Sequence, residues 1–247
     1  MITKEQFSYI QSYKESKTVT EISKHLELDR STVRKYIKLD EYSGNLSYDI
    51  DSLPVNKIRY YAYLLGLYLG DGYINKTERT YRLRISLNST QHLDVIDRAK
   101  VRLEMLFPNN KIGLVNVTGA NCVNLSVYNS NLVNLFPQHG VSYKHTRNII
   151  ITEKQEKLIQ DYKDYLLCGL HDSDGCRYID RRKVYYQFTN ASNDILNIYL
   201  DCLTPHNIQY KLYPRNIRIR KKLDTEKIAS LLQTCYSTLQ SACSSVG

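Results

Sequence analysis

Two acids, Asp71 and Asp174, each close a short segment of unusual composition, "LLGLYLGDG" at 64–72 and "LCGLHDSDG" at 167–175. The longer first stretch, "YLLGLYLGDGYI", reads as the last turns of an apolar helix running into a carboxylate. A glycine inside a helix costs roughly 1 kcal/mol relative to alanine. A negative charge at a helix C-terminus faces the wrong end of the macrodipole. Gly66 and Gly70 therefore mark a helix that approaches another backbone closely, and Asp71 is delivered to something positive.

The two segments belong to a longer repeat. The acids are 174 − 71 = 103 residues apart, and at the same offset "YRLRISLNSTQHL" (81–93) aligns with "VYYQFTNASNDIL" (184–196). Each copy then runs through a helix to a proline, Pro108 or Pro205, then two short strands and a closing amphipathic helix. Asn129 and Asp224 are suitable caps for the closing helices. Each unit reads as αββαββα, which gives an α+β fold of two tandem repeats.

The strands alternate as half-buried strands do. Leu83, Ile85 and Leu87 point inward, leaving Arg82, Arg84 and Ser86 outside. Asn124, Ser126 and Tyr128 oppose Val123, Leu125 and Val127. In the second copy Tyr185, Gln187 and Thr189 oppose Val184, Tyr186 and Phe188, and Arg218 and Arg220 oppose Ile217 and Ile219. None of these four outward faces carries an acid. A phosphate-rich partner requires that pattern.

The repeat over residues 57 to about 235 resembles the LAGLIDADG family, the homing endonucleases and their regulatory relatives. The resemblance implies two motif helices packed side by side on a pseudo-twofold axis, with Gly66, Gly70, Gly169 and Ser173 as the small residues that let them touch. It assigns metal binding to Asp71 and Asp174, with the carbonyls of Gly70 and Ser173 beside them. Two acids at adjoining negative helix ends repel each other and the dipoles, a conflict that a hard divalent cation, Mg²⁺ with Mn²⁺ as its substitute, resolves. The family also implies a polar strand residue near the acids, Gln187 with Arg84 as its counterpart, and a basic residue supporting the phosphate, for which Lys144 is the candidate. The second copy has no lysine equivalent to Lys144. His171 and Asp172, inside the second motif, read as packing residues.

Ahead of the repeat, residues 4–16 form a first helix, Thr20 caps a second, and Asp29 caps a third carrying Val33 and Ile37. The tight spacing fits a helix-turn-helix over residues 1–40, with Arg30, Ser31, Thr32, Arg34 and Lys35 facing a major groove. A packing module with a solvated basic face explains the same residues. A linker over 41–56, the first repeat over 57–137, a connecting segment over 138–162, the second repeat over 163–235 and a tail over 236–247 complete the chain. The segment "LFPQHGVSYKHTRNIIITEKQEKLI" and the second motif resemble a bacterial subgroup that places a helix-turn-helix before the LAGLIDADG domain.

Hydrophobic residues at 42% and charged ones at 24% make the chain globular, and a net charge of +9 favours a polyanionic partner. No apolar run approaches the ~18 residues of a membrane helix, and no signal-peptide pattern opens the chain. Six cysteines form no CxxC pair and no zinc spacing, as in a reduced protein without structural metal. The expectation is an intracellular monomer with internal pseudo-dimer symmetry, cytoplasmic and, in a bacterium, nucleoid-associated. Its partner is double-stranded DNA. Its activity is staggered, metal-dependent cleavage at a long asymmetric site, or, on the alternative reading, transcriptional regulation without cleavage. Binding to DNA is expected to weaken steeply with salt, each neutralised phosphate contributing about −0.9 to the log–log slope. A filter-binding titration with a slope near zero excludes the nucleic-acid reading.

Overall fold

The computed structural model describes residues 2–38, 50–90 and 93–243. The chain divides into two compact units, Met1–Tyr48 and Asp49–Gly247.

The smaller unit is three short helices, α1 (Lys4–Tyr13), α2 (Val19–Leu26) and α3 (Arg30–Ile37). Thr18, not Thr20, caps α2, because Glu21 stands three residues on and returns a bond to the cap in a capping box. Thr3 and Gln6 do the same for α1, which ends at Tyr13, short of residue 16. Glu27, left-handed at φ 54°, turns the chain from α2 toward α3. Asp29 occupies the cap position of α3 without a side-chain bond. Ile2, Phe7, Ile10, Ile22, Val33 and Tyr36 form the core. Tyr36 fills the place expected of Ile37, which is only half-buried.

In the larger unit the first repeat runs α4 (Val55–Asp71), β1 (Gly72–Lys76), β2 (Tyr81–Asn88), α5 (Leu93–Leu106), β3 (Gly113–Asn116), β4 (Cys122–Asn129) and α6 (Leu132–Leu135). A 3-10 turn at Lys144–Thr146 and α7 (Glu153–Ile159) make the connection. The second repeat runs α8 (Lys163–Asp174), β5 (Gly175–Asp180), β6 (Lys183–Thr189), α9 (Asn193–Leu203), β7 (Lys211–Tyr213), β8 (Asn216–Ile219) and α10 (Lys222–Cys243). The two antiparallel sheets have the same order, β1-β2-β4-β3 and β5-β6-β8-β7. Their registers match: Gly72 opposes Ile85 as Gly175 opposes Phe188, each pair 103 residues from its counterpart. Helices cover one face of each sheet, and the tandem αββαββα architecture is an α+β fold.

Several boundaries differ from those read in the sequence. The first closing helix, α6, is a single turn, since Phe136 precedes Pro137 and a residue before proline is disfavoured in the helical region. It starts after Asn131, whose backbone N–H donates to Asn129 Oδ1 in a local turn. Asp224 lies buried within the first turn of α10, which begins at Lys222 and runs on to Cys243, past the expected tail boundary at 236. Residues 39–49, most of the expected linker, lie outside the described residues. At its end Ile50 and Leu53 are buried and α4 starts at Val55, so this end belongs to the larger unit.

The helix α4 is apolar all round and is buried almost without interruption from Tyr60 to Leu69. It packs on α8 with no side chain between the backbones at the crossing. A Cβ on Gly66 would lie 2.5 Å from Leu166 O, and one on Gly169 would lie 1.9 Å from Tyr63 O. Neither obstacle is a flexible side-chain tip. Gly169→Ala is therefore expected to force the helices apart and to cost at least about 2 kcal/mol, at the upper end for overpacking. Urea unfolding measures this, and a parental midpoint would contradict the close approach.

Candidate active site

The crossing carries α4 and α8 down to their C-termini side by side, where Asp71 and Asp174 are the last helical residues. A Cβ on Gly70 would lie 2.2 Å from Ser173 Oγ and 2.7 Å from Asp174 Oδ2, so the second acid rests against the first helix. Both acids line one cavity of about 760 Å³ together with Lys144, Arg84, Arg147, Asn190 and Arg215.

Burial pushes Asp71 up to about 7, the neighbouring Asp174 adds to the rise, and Lys144 opposes it. Burial raises Asp174 as well, against the hydrogen bond from Asn190 and the charge of Lys144. Asn190 Nδ2 donates to Asp174 Oδ2 at 2.7 Å, while its own Oδ1 accepts from Ser192 N at 2.7 Å in the turn before α9. That anchor aims the amide at the acid.

Lys144 reaches in from the connecting segment. Its Nζ donates to the carbonyls of Tyr68, Leu69 (2.9 Å) and Gly70 (2.8 Å), the exposed negative end of α4. Burial lowers its pKa to about 8, with Asp174 and Asp71 holding the charge on. The segment itself is tied to α4 through Gln138, Gln155 and Tyr61, whose hydroxyl bonds Leu135 O at 2.7 Å. Among the described residues no lysine caps the end of α8.

Other sequence candidates, Arg84 and Thr189 excepted, sit away from the cavity. Gln187 does not line the cavity; its Oε1 accepts from Arg218 Nη2 at 2.9 Å and its Nε2 donates to Thr189 Oγ1 at 3.0 Å. Ser126 is only 5% exposed, a short side chain paired in register with the much longer Arg84. Ser86 Oγ donates to Asn124 Oδ1 at 2.8 Å across the sheet. Arg82, Arg84, Arg218 and Arg220 each lie over a tyrosine ring, of Tyr128, Tyr73, Tyr213 and Tyr185 respectively, at 5.2–5.9 Å. Arg220 falls just beyond the end of β8. In the smaller unit Arg30, Ser31, Arg34 and Lys35 are exposed and Thr32 is half-buried.

His171 is buried beside Tyr199, its pKa lowered to about 4, and is neutral at pH 7. Asp172 is pinned by the hydroxyls of Tyr63 (2.6 Å) and Tyr236 (2.7 Å) and by Arg98 Nη2 at 2.9 Å. Both are held in packing, clear of the cavity. Nothing in the sequence marks Asn190, Arg147 or Arg215: "TNAS" reads as an ordinary turn and helix cap, and the two arginines stand in loops without periodicity.

The two carboxylates suit a hard, oxygen-seeking divalent cation, because each is raised in pKa where it stands. Among the described residues no third acid, histidine or cysteine joins them, so backbone carbonyl, water and phosphate oxygens must complete any coordination shell. Magnesium accepts such a shell.

The arrangement of two αββαββα units joined at paired helices has solved counterparts. A variant of the homing endonuclease I-DmoI, solved with its target DNA in the presence of magnesium, matches with a TM-score of 0.50 at 17% identity, over 73% of this chain and 98% of that one. This is the LAGLIDADG fold. Mesophilic variants of I-DmoI follow at a TM-score of 0.49 and 19% identity, over 72% of this chain and 97% of theirs. The N-terminal LAGLIDADG domain of DUF199/WhiA gives 0.48 and 13% identity over 78% and 93%. No protein-family model and no curated protein matches the chain. Among the described residues, no helix is long and apolar enough to cross a membrane.

Asp71 gives the site a pH signature. Its folded pKa of about 7 lies above the ordinary 3.8, so between these values the folded state binds more protons than the unfolded one, and stability falls as pH rises through the window. Without divalent cations, Asp71→Asn is expected to gain on the parent from about pH 4 to about pH 7, by on the order of a few kcal/mol, and then to hold a constant margin. Added Mg²⁺ shrinks the margin. Urea midpoints across pH measure it, and a pH-independent difference would contradict the buried pair.

Proposed function

We propose that this protein is a site-specific DNA endonuclease that makes a metal-dependent staggered double-strand cut. The observation that carries the reading is the pair of buried carboxylates at adjoining helix ends in one cavity, with a lysine and three arginines around them. Structural packing gives no return for two acids placed against each other and against both dipoles.

In this reading the strand faces carrying Arg82, Arg84, Ser86, Asn124, Tyr185, Gln187, Thr189, Arg218 and Arg220 take the duplex, phosphates first and base edges second. The tyrosines beneath the arginines hold them extended toward the backbone. Arg30, Ser31, Thr32, Arg34 and Lys35 of a helix-turn-helix lengthen the footprint. Asp71 and Asp174 hold Mg²⁺ or Mn²⁺, with the Gly70 and Ser173 carbonyls beside them. When bound, the cation lowers the pKa of water and neutralises charge on the phosphate. Asn190 keeps the Asp174 carboxylate aimed into the cavity. Lys144 supports the reacting phosphate beside Asp71. The second half lacks its lysine, so the two strands are cut at unequal rates. A monomer suffices, because the chain contains both halves.

One contact favours the second reading, a DNA-binding regulator without cleavage. Lys144 occupies the Gly70 carbonyl, one of the two proposed for the metal. Selection of bound sequences from a random duplex library, followed by Mg²⁺ on the winners, separates the readings: cleavage identifies an enzyme, persistent intact complexes a regulator. Asp71→Asn and Asp174→Asn are each expected to bind the selected site as the parent does and to lose double-strand cutting by about a hundredfold or more. If both variants cut a plasmid at the parental rate, the acids do not carry the chemistry.

A further inference from the structure

Behind the second sheet lies a cleft of about 660 Å³ that shares only Arg220 with the proposed duplex surface. Its position follows from register. Residues paired across an antiparallel ladder share a face. Arg177 is paired with Tyr186 and Ile179 with Val184, so both emerge on the helix-covered side, while Cys176 and Tyr178 share the other face with Gln187 and Tyr185. The helix layer stops short of this edge strand, and Ile179 is 63% exposed.

Cations crowd the opening. Arg177 comes from β5, Arg182 and Lys183 from the β5–β6 hairpin, and Arg220, Lys221 and Lys222 from the passage into α10. The single acid in the lining, Glu226, lies 3.8 Å from Lys222. Among the described residues Arg177, Arg182, Lys183 and Lys221 make no ion pair. Val184, Tyr186 and Ala229 supply an apolar and aromatic wall. Both residues at the hairpin tip, Arg181 and Arg182, are left-handed at φ 47° and 66°, where glycine and asparagine are favoured. A turn optimised for folding alone would not use two arginines there.

Six cations with one acid repel each other unless an anion joins them, and the apolar wall suits a ligand with a body as well as a charge. The volume lies in the range of small-ligand sites. We infer that this cleft binds a small phosphorylated ligand of nucleotide size, its phosphates between Arg177 and Lys221 and its body against Tyr186.

Calorimetric titration of the full chain with ATP, and separately with inorganic triphosphate, tests this. Saturable binding of ATP is expected, about tenfold weaker in the Arg177→Ala/Lys221→Ala double variant and retained when a nonspecific duplex saturates the opposite face. Tighter binding of ATP than of triphosphate identifies a nucleotide. Equal binding identifies a phosphate chain whose body adds nothing. Both altered side chains are exposed, and unchanged DNA affinity in the double variant reports that the fold is intact. The inference is overturned if neither probe saturates below about 1 mM, if the double variant binds ATP as the parent does, or if duplex displaces ATP.

Discussion

The backbone contact between α4 and α8 sets the position of everything near the acids. Gly66 faces the backbone of α8 and Gly169 that of α4, so the helix axes are closer than any pair of side chains permits. The contact lies one to two turns above the acids, and the separation of Asp71 from Asp174 is a direct consequence of it. A wider crossing packed by alanine or leucine would leave each acid alone at its own helix end. The dipole penalty would remain, and of the two causes that raise Asp71, burial and the charge of Asp174, the second would be gone.

Around this contact the molecule is two-fold in backbone but not in chemistry. Lys144 neutralises the end of α4, while Asn190 addresses the acid at the end of α8. Arg98, Tyr63 and Tyr236 converge on Asp172 in the second motif. The equivalent residue of the first motif, 103 positions earlier, is Leu69, fully buried. Fusion of the repeats in one chain allows this divergence, since each half can change without altering its partner.

Much of this was legible in the sequence because it is written twice. The repeated nonamers, the strand alternation and the paired small residues each had a counterpart 103 residues away, and chance patterns do not recur at one offset. What was not legible depends on contacts. The threonine that caps α2 is decided by the box with Glu21, a signal present at T-x-x-E spacing but outweighed in the reading by Thr20. The alternation places Ser126 on the outward face, yet a serine too short to reach past Arg84 is buried there. Alternation also says nothing about where an amide turns, and Gln187 turns to Arg218. Asn190 looks like one more turn residue until the fold brings it against Asp174.

Lys144 lies on the segment between the repeats, not within either of them. Its seat on the last carbonyls of α4 exists only once that segment has docked through Gln138, Gln155 and Tyr61. A chain newly emerging from synthesis completes α4 and its sheet before it reaches this lysine, and α8 comes later still. The cavity thus needs both halves of the chain, since Asn190 and Arg215 of the second repeat also line it. A chain that ends before α8 holds one acid and no second helix against it.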